Sequence, residues 1–127
     1  MSGENYELFT NFAFMDLRYT YEGVELAYTI EGEGDDVVLL HGWGCDSSIW
    51  VATRELLATR YRVISVDFAG FGNSSEPQSV WGVEEYTRSI ESLMAELGIV
   101  APTLIGHSFG GRVAIVFASR NQVRRMV

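Results

Sequence analysis

An α/β fold, with a mostly parallel sheet, an N-terminal β-hairpin and helices on both faces, is predicted by three features of the 127-residue chain. Apolar runs without alternation, such as "VVLLHG", Val37 to Gly42, read as strands covered on both sides, the mark of a parallel sheet. Segments of helical character separate these runs, so strand and helix alternate along the chain. The stretch "LRYTYEGVELAYTIEGEG" instead places two β-rich runs around Glu22-Gly23, the pattern of a hairpin.

The elements follow in order. Residues 1–15 ("MSGENYELFTNFAFM") show no clear period and read as an N-terminal extension, leaving 16–127 as the core unit. After the hairpin and the Val37 strand, Asp46, Ser47 and Ser48 offer N-caps for a helix to about Arg60, with Trp50, Leu56 and Leu57 as core candidates. "YRVISVDF" is the next strand and "AGFGNSSEPQS" a loop. From Val83 to Leu97 the apolar positions Val83, Tyr86, Ile90, Leu93, Met94 and Leu97 fall at helical spacing. Glu84 and Glu85 suit the positive first turn, and Gly98 supplies the stop. Glu84, Glu85, Glu91 and Glu96 read as a solvated face. "PTLIG" is a third buried strand, "GGRVAIVFAS" a helix with few exposed positions, and "VRRMV" the start of one more strand. Right-handed crossovers would wind these strands into one sheet.

Composition narrows the function. A hydrophobic fraction of 47%, with 13% aromatics, supplies one modest core. The formal charge is −8 and all nine basic residues are arginine, so no basic patch exists to drive nucleic-acid binding. No run approaches the ~20 apolar residues of a membrane span, and the N-terminus lacks the pattern of a signal peptide, which makes a cytoplasmic location the default. The single cysteine, Cys45, cannot form an intramolecular disulfide and, with no basic neighbour, reads as a small buried hydrophobe. No cluster has metal-ligand spacing, and no metal or cofactor is assigned.

The chemistry concentrates in "LIGHSFGGRVAI", Leu104 to Ile115, where a strand enters a glycine-flanked serine and a helix leaves it. Gly-x-Ser-x-Gly alone is weak evidence, but a sharp strand-to-helix turn is the context that gives it meaning. Such a turn forces Ser108 toward positive φ and leaves no room for side chains at the flanking positions. The helix that follows aims its free N–H groups at the same spot, where negative charge is favoured.

Three stretches, taken in order, resemble the α/β-hydrolase superfamily, and within it the small serine hydrolases with a His-Gly oxyanion loop. They are His41-Gly42-Trp43-Gly44, Asp67-Phe68-Ala69-Gly70-Phe71-Gly72-Asn73-Ser74, and Gly106-His107-Ser108-Phe109-Gly110-Gly111. The resemblance implies the N-terminal part of an α/β-hydrolase fold, with Ser108 as nucleophile and the backbone N–H groups of Trp43 and Phe109 as oxyanion hole. His41, Gly42, Gly106, His107, Gly110 and Gly111 would shape the site, and Asp67 would stabilise a loop. Relatives that open epoxides or remove halide carry aspartate at the nucleophile position, so serine points to a small-molecule acyl substrate such as a carboxylic ester.

Superfamily order is serine, then acid, then histidine, yet residues 109–127 contain no Asp, Glu or His. His107 adjoins the nucleophile on a tight turn, and His41 belongs to the oxyanion loop, so neither suits the role of base. The expectation is an incomplete core, lacking the lid and C-terminal strands, feeble in catalysis alone and open to self-association through an unpaired sheet edge. Two other readings use the same residues: a non-catalytic binding protein on this fold, and a cofactor-free acyltransferase or perhydrolase.

Overall fold

A computed structural model describes residues 14–127. The extension read over residues 1–15 therefore lies, through residue 13, outside the described residues, while Phe14 and Met15 already belong to the first strand. Strand β1 (Phe14–Tyr21) pairs antiparallel with β2 (Val24–Glu31). The two-residue turn between them puts Glu22 at φ 45° and Gly23 at φ 79°, which matches the twist of the flanking strands.

Strands β3 (Asp36–Leu40), β4 (Arg62–Val66), β5 (Thr103–Gly106) and β6 (Arg125–Met126) complete a six-stranded sheet of order β1-β2-β4-β3-β5-β6. The hairpin joins through an antiparallel β2–β4 pair, and the β3–β4, β3–β5 and β5–β6 pairs are parallel. The unalternated apolar run is explained by the period-2 pleat. Val38 and Leu40 face one core with Ile64, Val66 and Leu104, whereas Val37 and Leu39 face a smaller one with Val63.

Helices cover both faces. On one side lie a 3₁₀ turn (Ser47–Trp50) and α1 (Val51–Leu57), which set Trp50, Leu57 and Ala58 against the smaller core. Asp46 caps this turn by accepting from the Ser48 N–H at 2.8 Å. Leu56 is a correction to the expected core: it is 72% exposed, because neighbouring helical positions point about 100° apart and Leu57 takes the one that faces the sheet. On the opposite face α2 (Val83–Glu96) and α3 (Phe109–Arg120) pack Tyr86, Ile90, Leu93, Met94, Val113, Ala114 and Phe117 on the larger core.

Each end of α2 is satisfied as its sequence suggests. The Glu85 carboxylate accepts from the Gly82 N–H at 3.1 Å, and Gly98, at φ 69°, closes the C-terminus while the Ile99 N–H donates to Met94. Its acidic face is not simply solvated, however. Arg120, on the last turn of α3, donates to both Glu84 and Glu91, so two of the four glutamates tie the helices together. The charge-assisted bonds from Arg120 and then Asn121 hold the Glu91 carboxyl below its ordinary range.

Chain order decides where a site can form. From β3 the chain passes to β4 on one side and returns to β5 on the other. The loops after β3 and β5 therefore leave the carboxyl edge as neighbours, the crevice where open α/β sheets bind ligands.

Candidate functional site

Ser108 sits on the corner between β5 and α3 with φ 55° and ψ −114°, a conformation that costs a non-glycine residue on the order of 1–3 kcal/mol. Its neighbours hold the corner. The His107 N–H donates to Leu40 on β3 at 3.0 Å, and the Gly110 and Gly111 N–H groups donate to His107 and Ser108 at 3.0 and 2.9 Å. A Cβ on Gly106 would lie 2.6 Å from the Gly110 oxygen and the Gly111 nitrogen, and one on Gly110 would collide with the Leu40 carbonyl. Gly111 is different, since nothing stands closer than 3.8 Å to such a carbon. Bare backbone is thus required at 106 and 110, which lets α3 start directly against β3, and Ser108 and His107 stay exposed above it.

The loop after β3 meets this corner. His41 is fully buried: its Nδ1 lies 2.7 Å from the Gly42 carbonyl, and its Nε2 accepts from the Phe68 N–H at 2.9 Å. The Phe68 donor fixes the tautomer, placing the ring proton on Nδ1. Burial pushes the His41 pKa below its ordinary value, so the ring is neutral and both nitrogens are occupied. His41 accordingly shapes the loop and has no lone pair to offer a reacting hydroxyl. A Cβ on Gly42 would lie 2.8 Å from His107 Nδ1, so here too glycine permits one loop to touch the other.

Trp43 projects from this loop, 59% exposed, with its ring edge-to-face on Phe71, Phe109 and Tyr86 at 4.8, 5.2 and 5.9 Å between centroids. Among the described residues neither the Trp43 nor the Phe109 N–H donates to a protein acceptor. Cys45 is only half-buried, a correction to its expected burial, because its N–H closes the turn onto Gly42 and the side chain stays at the loop surface.

Asp67, at the end of β4, works as a clamp. It is buried, with Oδ1 accepting from the Ser47 N–H at 2.8 Å and Oδ2 from the Asn73 N–H at 3.0 Å, while Gly72 packs directly on the carboxylate. Ser74 finishes the knot: its hydroxyl donates to the Asp67 carbonyl at 2.6 Å and accepts from the Ala27 N–H at 2.8 Å. The stretch that reads as a plain loop thus buries Ala69 and Ser74 beneath the site, beside the buried Phe68 that precedes it.

Between the two loops lies an open cleft of about 530 Å³ lined by Trp43, Ser108, Phe109 and Arg112. Three of these residues belong to the motifs; Arg112 had no assigned role, although it is the one charged side chain in an otherwise apolar and glycine-rich run from Phe109 to Ala118. Among the described residues no three His, Cys, Asp or Glu side chains converge as a metal site, and no helix is long and apolar enough to cross a membrane.

Comparison with known proteins agrees with the fold. A family model described as alpha/beta hydrolase fold matches residues 36–127. The chain is 37% identical over 99 residues to an uncharacterised protein of Mycobacterium tuberculosis, covering 78% of this chain and 29% of that one. It is 38% identical over 89 residues to the pimeloyl-[acyl-carrier protein] methyl ester esterase of Aliivibrio fischeri, covering 70% and 33%. Among solved structures the epoxide hydrolase CorEH superposes with a TM-score of 0.84 at 30% identity, over 89% of this chain and 41% of that one. The chain thus spans about a third of the length of these curated relatives.

Proposed function

Because the chain belongs to the alpha/beta hydrolase fold family, we propose that it carries the nucleophile and oxyanion donors of a serine hydrolase acting on a carboxylic ester or related acyl substrate. The observation that carries this reading is Ser108 itself: exposed, held at φ 55° on a corner that only glycine neighbours allow, and facing an open cleft. Strain of this kind persists where a side chain must be presented in one direction.

In the proposed reaction the Ser108 oxygen attacks the acyl carbon as a base takes its proton, and the carbonyl electrons move onto oxygen. The Trp43 and Phe109 N–H groups, uncommitted to other described residues, receive that charge. A donor of this type contributes roughly 3–4 kcal/mol to lowering a barrier. The alcohol then leaves with the proton, and water releases the acid from Ser108 by the same steps in reverse order. His41 is unsuited as the base because both ring nitrogens are engaged. Residues 109–127 supply no Asp, Glu or His for the base and its orienting acid, and the curated relatives are about three times as long as this chain.

Serine at 108 supports acyl chemistry over the epoxide opening named for CorEH, since a carboxylate nucleophile is what resembling epoxide hydrolases use. The name of the Aliivibrio fischeri relative, a methyl ester esterase, agrees with an ester as substrate. The test is fluorophosphonate labelling of the full-length protein. One adduct on Ser108 is expected, abolished in Ser108→Ala together with ester hydrolysis. Hydrolysis that survives Ser108→Ala would refute the reading.

A further inference from the structure

Resting on that reading of Ser108, we propose that Arg112 selects the substrate, and that the cleft takes acyl compounds whose chain ends in a carboxylate set apart from the ester by an apolar stretch. Arg112 lines the cleft together with Ser108, Trp43 and Phe109. It stands one helical turn beyond the serine, its N–H donating to the Ser108 carbonyl at 3.3 Å, and its side chain is exposed.

Its electrostatic situation is unlike that of most other arginines in the chain. Arg18, Arg54, Arg62, Arg88, Arg120 and Arg124 each meet a carboxylate within 3.7 Å. Arg112 meets none among the described residues, in a chain with 17 acidic side chains to choose from; Arg60 and Arg125 also meet none, but of these three only Arg112 lines this cleft. It also lies in the first turn of α3, where the positive end of the helix disfavours a cation. Nothing in folding calls for an unpaired guanidinium there. A carboxylate entering the cleft would supply the missing partner, and the planar fork of arginine can hold both of its oxygens at once. In a chain of net charge −8, a local cation is also what would let an anion approach. The Trp43 and Phe109 rings, which line the same cleft and pack edge-to-face on each other, offer an apolar surface for the connecting chain.

The test is calorimetric binding to full-length protein carrying Ser108→Ala, which separates recognition from turnover. The ligands are the monomethyl ester of a dicarboxylic acid and the methyl ester of the alkanoic acid of equal chain length, over a series of lengths. At the best length the half-ester is expected to bind at least tenfold more tightly. Adding Arg112→Gln should shrink that preference to within twofold, and Arg112→Lys should keep part of it. With Ser108 restored, the loss in Arg112→Gln should fall on KM for the half-ester more than on kcat. Equal binding of the two esters, binding of neither, or a preference that survives Arg112→Gln would overturn the proposal. A preference seen in protein that a fluorophosphonate cannot label would instead remove the nucleophile and leave the anion site standing.

Discussion

Replacing Gly110 by alanine should disable the corner while the same change one residue later should not. The new Cβ would lie 2.5 Å from the Leu40 carbonyl carbon and 2.7 Å from the His41 oxygen. Carbon atoms normally pack at ~3.5–4.0 Å, so the shortfall is about 1 Å. The obstacle is the backbone at the end of β3, a strand paired on both sides, so α3 rather than the sheet must retreat. Overpacking of this kind costs ~1–3 kcal/mol, and an unyielding backbone puts it at the upper end. Moving the first turn of α3 by about 1 Å also displaces the Phe109 N–H from Trp43, and a misplacement of that size can lower a rate by ~100-fold. At Gly111 the nearest atom is 3.8 Å from the added carbon, and alanine gains up to ~1 kcal/mol over glycine inside a helix. Urea denaturation and ester hydrolysis by the two full-length variants provide the assay. Equal stability and equal activity in Gly110→Ala and Gly111→Ala would refute the steric reasoning.

Two further outcomes follow from the loops beneath the site. Asp67→Asn should cost ~1.5–3 kcal/mol in the same urea assay, because an amide NH₂ must then face one of the two N–H donors from Ser47 and Asn73; a loss under ~0.5 kcal/mol would mean the clamp bears little load. His41 predicts a pH dependence: its folded pKa is depressed by burial, so the unfolded chain takes up the proton first. Stability should hold above about pH 6.5 and fall as pH drops below it, by at most ~1.4 kcal/mol per pH unit until the folded pKa is reached. Glu91 and Asp46, also depressed, act only in the more acidic range where carboxylates titrate. In His41→Gln the decline just below pH 6.5 should disappear; an unchanged decline would assign it to another group.

Much of the scaffold was legible from residue pattern alone. Strands buried on both faces, the Glu22-Gly23 hairpin, the caps of α2 and the glycine-flanked serine all express local rules, in which a residue's type constrains its own backbone or its nearest neighbours. Where the reading failed, the cause was contact with something distant in sequence. Leu56 reads as core because residue type does not tell which of two adjacent leucines α1 turns toward the sheet, and Glu91 reads as solvated because its partner Arg120 lies on another helix.

The candidate site divides along the same line. Sequence by itself determined that position 108 is a serine on a glycine corner and that residues 109–127 hold no acid or histidine. Only the tertiary structure decided that both nitrogens of His41 are spent on backbone groups, that Asp67 binds two loops together, and that Arg112 lines the same cleft as Ser108 with no carboxylate partner among the described residues. Hydrogen bonds and charges act over a few ångströms of space, and the distance that sets their energy is fixed by packing between elements, which a linear pattern does not contain.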